Sequence, residues 1–148
     1  LLDRHFKDDQ NVNFLIPNGP DALFKIYGTR YLLTHGDAFR GGDSMIGALG
    51  PLTRGNHKKS SRNTQIDQSY DIMMVGHWHQ LIQVQRLVVN GSLKGYDEYA
   101  YNNNFGYEQP RQALWLTHPE HGVIFFNAVN VDRHHHRKIE KEWVSWKE

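Results

Sequence analysis

Ten histidines are many for a chain of 148 residues, and three of them stand where chemistry is expected. Gly76-His77-Trp78-His79 directly follows the apolar run Ile72-Met73-Met74-Val75. A short apolar run closed by glycine reads as a buried strand entering a tight, exposed turn. Residues two apart on extended backbone project to the same side, so both imidazoles can reach one site. Imidazole is the commonest nitrogen ligand for ions such as zinc, iron and manganese. A lone pair of histidines has a plainer reading as ordinary turn residues. Upstream, however, Tyr31-Leu32-Leu33-Thr34-His35-Gly36-Asp37 repeats the pattern of strand, histidine and glycine, and Val89-Asn90-Gly91-Ser92 supplies a third strand end.

Three such ends imply one rim where loops hold polar groups above a rigid sheet. Glycines 36, 76 and 91 let the backbone turn sharply and approach an ion or phosphate closely. Asp37 can hold one imidazole tautomer by accepting its second N–H.

The elements that must position these residues can be read along the chain. Leu1 to Asp9 reads as the end of a helix, with Leu1, Leu2 and Phe6 on one face. Asn11 to Ile16 alternates like a strand and stops at the turn signal Pro17-Asn18-Gly19-Pro20. Ala22–Tyr27 and Arg30–Thr34 form a hairpin through Gly28-Thr29. Met45, Ile46 and Leu49 give the Gly41–Gly50 stretch helical spacing. Thr53 to Gln68 is polar and basic, an exposed loop or frayed helix. Tyr70–Val75 is a buried strand, followed by short strands at Leu81–Gln85 and Arg86–Val89. Gly95 to Pro110 is aromatic, Asn-rich and irregular. Ala113–Thr117 and Val123–Val129 pair around Pro119-Glu120-His121-Gly122. From Asp132 a polar helix puts Ile139, Trp143 and Trp146 on one docking face.

Length and composition suit a single domain with a core, and no second domain or internal repeat is visible. Without cysteine, any metal must be held by His, Asp, Glu or Asn rather than by thiolate. The same absence suits a cytoplasmic protein, and the Asn90-Gly91-Ser92 sequon then carries no glycan. No apolar run nears the roughly 20 residues of a membrane span, and a net charge of +1 signals no polyanion partner on its own. The chain opens without methionine or a signal peptide, which suggests that sequence once lay upstream.

Leu32-Leu33-Thr34-His35-Gly36-Asp37, Val75-Gly76-His77-Trp78-His79 and Val89-Asn90-Gly91-Ser92 resemble the closing motifs of the calcineurin-like metallophosphoesterase superfamily. Together with Gly91-Ser92-Leu93-Lys94-Gly95-Tyr96-Asp97-Glu98-Tyr99, they are most similar to its bacteriophage and prophage phosphoesterases. The resemblance runs from about Ala22 to Val129. It implies an α/β fold, part of a β-sandwich flanked by helices, and two divalent ions at its edge, manganese above all, or iron or zinc. It implies further that His35 and His77 ligate one ion and His79 the other. Two ions about 3.5–4 Å apart activate water and neutralise phosphoryl oxygens during in-line attack. The substrate would be a phosphate mono- or diester, with a nucleotide or nucleic acid the natural candidate, and host cytoplasm the location of a phage-encoded member.

The family's earlier motifs, an Asp-x-His, a Gly-Asp and a Gly-Asn-His carrying the leaving-group histidine, are absent before His35. Gly55-Asn56-His57 does not replace them, because it follows His35 and sits in a basic stretch rather than after an apolar strand. Residues 1–148 are therefore expected to be the C-terminal part of one metallophosphoesterase domain, lacking its N-terminal strands and inactive alone. A non-catalytic remnant or binding module is the competing expectation.

Three further features have two readings each. Arg54, Lys58, Lys59 and Arg62 could attract a phosphate backbone, or simply be a solvated surface. Tyr96 to Tyr107 could stack on bases or form a packed lid. His134-His135-His136, His118 and His121 read as surface residues, and Trp78 as a packing residue pointing away from the histidines.

Overall fold

The computed structural model describes residues 1–41 and 47–131. Residues 42–46 and 132–148 lie outside the description, and with them Met45, Ile46 and the whole of the helix expected at 132–147.

Strand β1 (Asp21–Ile26) turns through Tyr27, which holds φ 51°, into β2 (Thr29–Thr34). After a one-turn helix α1 (Leu2–His5) and this hairpin come α2 (Leu49–Gln65), β3 (Ile72–Val75), β4 (Ile82–Val84) and β5 (Leu87–Val89). Helix α3 (Glu98–Asn102) then precedes a long hairpin of β6 (Arg111–His118) and β7 (Gly122–Asn130). The first five strands make one sheet in the order β1-β2-β3-β5-β4, and β6-β7 make a second. The centre of the large sheet, β2-β3-β5, is parallel, and its two edges are antiparallel. The fold is mixed α/β, as expected.

Strands β3 and β5 are covered on both faces, which is why they are apolar throughout rather than alternating, whereas β2 keeps Arg30 and Leu33 exposed. Leu32, Met73, Val75, Leu87 and Val89 face Leu52 of α2 and Tyr70. Their neighbours Tyr31, Ile72 and Val88 face Ala113, Trp115 and Val123 of the β6-β7 hairpin. The side-chain period of two thus divides each strand between a helix layer and a second sheet layer. No helix of the described residues is long and apolar enough to cross a membrane.

Two expectations differ from the structure. Asn11 to Ile16 forms no strand, and Leu15 and Ile16 are well exposed, at 60% and 69%. Alternation makes a strand only where a neighbouring strand pairs with it, and none does so here among the described residues. The basic stretch after Thr53, expected as an exposed loop or frayed helix, is helical and regular: it is the body of α2, 17 residues long. Pro51 is tolerated because it lies in the first turn, where backbone N–H groups have no helical partner. The inward face of α2 carries polar anchors. Asn56 accepts the Tyr70 hydroxyl at 2.9 Å, Lys59 Nζ lies 2.6 and 2.7 Å from the Asp21 oxygens, and Asn63 is buried.

Candidate functional site

Parallel register sets the rim. Thr34 pairs with Val75 and Val75 with Val89, so three strands end level. The next residues, His35, Gly76 and Asn90, leave the sheet together. The same rim holds Asp21, opposite Thr34 at the start of β1.

His35 and His77 meet there, with ring centroids 4.9 Å apart at 68°, and both are exposed. The two turns are tied by Trp78, whose Nε1 donates to the Gly36 carbonyl at 3.3 Å while its ring packs on the helix-side core. Gly36 is required twice over: its φ is +104°, and a Cβ there would lie 2.4 Å from Val75 Cγ1. Gly76 has neither constraint, since a Cβ would meet only the His35 carbonyl oxygen at 3.7 Å.

His77 and His79 do not alternate on extended backbone. Both have positive φ, 65° and 55°, an uncommon conformation for residues with a Cβ. Strain of this kind gathers at binding and catalytic sites. It also gives the two rings different neighbours. His79 packs against Phe105 at 5.6 Å and Tyr99 at 6.0 Å, and its buried Nδ1 has no hydrogen-bond partner among the described residues. Among those residues no group of three or more His, Asp or Glu gathers closely enough to hold an ion. His35 and His77 are thus a pair, and His79 stands apart under the aromatic segment.

Asn90 faces the second sheet. Its Oδ1 accepts from Ala113 N at 2.9 Å, its Nδ2 donates to Gln112 Oε1 at 2.6 Å, and Gln112 Nε2 donates to the Gly91 carbonyl at 2.8 Å. A Cβ on Gly91 would lie 2.4 Å from the Arg111 carbonyl oxygen. This strand end therefore fastens the hairpin to the sheet. Gly55-Asn56-His57 lies on α2, with Asn56 bonded to Tyr70 and His57 exposed. Lys59 and Arg62 are both paired with Asp21, whereas Arg54 and Lys58 are exposed. Asp37 is exposed on the turn beyond Gly36.

Two groups at the rim escaped the sequence reading. Glu108 Oε1 accepts from Leu81 N at 2.8 Å, tying the end of the aromatic segment to the chain just after His79. Phe39 lies against α2 at Gly55, where a Cβ would come within 2.4 Å of its ring. Phe39 and Phe105, with Trp78, Asn103, Asn104 and His77, line a cleft of about 410 Å³. The Asn-rich, aromatic composition of 95–110 was the available signal; Phe39 had none.

No family model and no curated protein matches this chain. Two solved structures are similar to it. A single-substitution variant of Vps29 from Entamoeba histolytica is 18% identical with a TM-score of 0.45, over 80% of this chain and 66% of that one. Wild-type Vps29 from the same organism, complexed with zinc, is 16% identical with a TM-score of 0.42, over 76% and 61%. The chain spans less than two thirds of the length of either structure.

Proposed function

We propose that this chain carries the closing strands of a calcineurin-like phosphoesterase domain and serves the metal-dependent hydrolysis of phosphate mono- or diesters. The observation that carries the reading is the approach of His35 and His77, 4.9 Å between ring centroids, at the level ends of two parallel strands. Imidazoles brought together from separate strands on one rigid rim make a preorganised donor pair. In this reading His35 and His77 donate to one divalent ion and His79 to a second, with manganese, iron or zinc as the metals. Such ions polarise a phosphoryl group and acidify bound water.

The donors present do not fit a binuclear centre by themselves. Two adjacent cations need anionic oxygen between them, and the described residues gather no third donor. We therefore assign the bridging carboxylates and the leaving-group histidine to protein outside these residues. A non-catalytic binding scaffold is the second reading, and one observation favours it: the His79 ring is packed against Phe105 and Tyr99 rather than standing open.

The test is calorimetric titration with Mn²⁺ beside hydrolysis of aryl phosphate mono- and diesters. The 148-residue chain should bind the ion weakly, lose at least about tenfold in affinity in His35→Ala and His77→Ala, and turn over little. Robust turnover by this chain, abolished in His77→Ala, would overturn its incompleteness. Metal binding unchanged in the His35→Ala, His77→Ala and His79→Ala variants would overturn the ligand assignment.

A further inference from the structure

The cleft beside His77 has a chemistry that metal ligation does not use. At about 410 Å³ it lies within the range of small-molecule sites. Three aromatic side chains line it, Phe39, Trp78 and Phe105, from three separate segments of the chain. Three amides line it as well: Gln80, Asn103 and Asn104. Asn103 is oriented by donating its Nδ2 to the Tyr99 carbonyl at 2.8 Å. No carboxylate, lysine or arginine is among the described residues of the lining.

That combination selects a class of ligand. Aromatic faces take up a flat ring by stacking, and side-chain amides read the alternating donors and acceptors on its edge. A lipid tail would leave the amides unmatched, which is costly in a desolvated site. A charged group would find no counter-charge among the described residues of the lining. A neutral, flat, hydrogen-bonding heterocycle satisfies both sets at once. His77 belongs to the same lining, so a ring held in the cleft lies next to the histidine rim.

We propose that this cleft binds a nucleobase, so that the phosphate ester presented at His35 and His77 belongs to a nucleotide or a nucleic-acid strand. The proposal rests on the phosphoesterase reading for the second half of that statement only. Base binding itself needs neither metal nor hydrolysis.

Adenosine, which has no phosphate, is the probe, followed by NMR at the side-chain amides of Asn103 and Asn104. It should shift those signals saturably. Phe105→Ala should weaken binding by about 5- to 150-fold, the span of single-base stacking losses. Because Phe105 also packs on His79, a second variant guards against misfolding. A Cβ on Gly106 meets no atom within 4 Å, so the side chain of Gly106→Leu starts in open space at the cleft wall. It should weaken adenosine by about tenfold or more with an unchanged unfolding midpoint. AMP and a short oligoadenylate then separate the sources: equal affinity assigns a mononucleotide, and tighter binding of the oligomer assigns a strand.

No saturable shift up to about 10 mM adenosine, or equal binding by wild type and both variants, overturns the proposal. Aryl phosphate hydrolysis without adenosine binding overturns the cleft alone. Adenosine binding without phosphoesterase activity, even with the remaining donors supplied, overturns the enzyme reading and leaves the cleft standing.

Discussion

Gly91→Ala tests whether the rim is held by the junction between the two sheets. A Cβ on Gly91 would lie 2.4 Å from the Arg111 carbonyl oxygen and 3.4 Å from its carbonyl carbon, both of them backbone. Neither can swing aside as a side-chain tip would. Relief requires moving the start of β6, which stretches the Gln112–Gly91 and Ala113–Asn90 hydrogen bonds of 2.8 and 2.9 Å. Overpacking of this kind costs about 1–3 kcal/mol, and a backbone obstacle places it near the upper end. Replacing glycine also restricts the unfolded chain, a gain of about 0.4–1 kcal/mol. The net expectation is a loss of roughly 2 kcal/mol, which moves a urea midpoint by about 1 M for a typical small-protein slope. Gly106→Ala is the internal control: its Cβ meets nothing within 4 Å, so only the entropic gain of about 0.4–1 kcal/mol remains. Urea titrations followed by far-ultraviolet circular dichroism read both variants. If Gly91→Ala is as stable as Gly106→Ala, the close approach of β5 and β6 is not what the sequence serves at this position.

Two other perturbations follow from the anchors of α2. Burial alone would raise the Asp21 carboxyl pKa, but hydrogen bonds from Lys59, Thr34 and Arg62 outweigh it and hold the group below its ordinary value. Its stabilisation is therefore present above about pH 4 and is lost as pH falls through the lower folded-state value. Asp21→Asn should cost about 1–2 kcal/mol at pH 7, between exposed and fully buried pairs, with the gap to wild type narrowing in acid. A gap independent of pH would refute the pairing. Tyr70 is 2% exposed, and burial pushes its phenol up to about 12. Removing its bonds to Asn56 in Tyr70→Phe should cost about 1 kcal/mol. In an absorbance titration the amplitude missing from the variant should lie near pH 12. Since the phenol titrates lower when unfolded, the wild type should lose stability as pH rises above about 10. Loss of the amplitude near pH 10 instead would show that Tyr70 is not buried in solution.

Strands β2, β3 and β5 and the residues that close them were legible because their signals are local. An apolar run covered on both faces, then a glycine, marks a strand end without reference to anything distant. Helix α2 was legible only as a loop or frayed helix, because its inward face holds Asn56, Lys59 and Asn63, and Asn56 and Lys59 find their partners Tyr70 and Asp21 outside the helix. Periodicity counts apolar residues and misses a face made acceptable by remote hydrogen bonds and charge. Asn11 to Ile16 shows the converse: local alternation with no neighbouring strand among the described residues to complete it.

At the rim, the sequence by itself determined that His35, His77 and Asn90 leave the sheet at neighbouring strand ends. Only the tertiary structure decided what each does there. The left-handed backbone at residues 77 and 79 sends one ring to His35 and the other under Phe105 and Tyr99. Asn90 turns to Gln112 and Ala113. Strand position follows from local hydrophobic pattern, whereas side-chain direction on a turn depends on contacts between segments tens of residues apart. Those contacts include Trp78 to Gly36 and Leu81 to Glu108, and no local pattern encodes them.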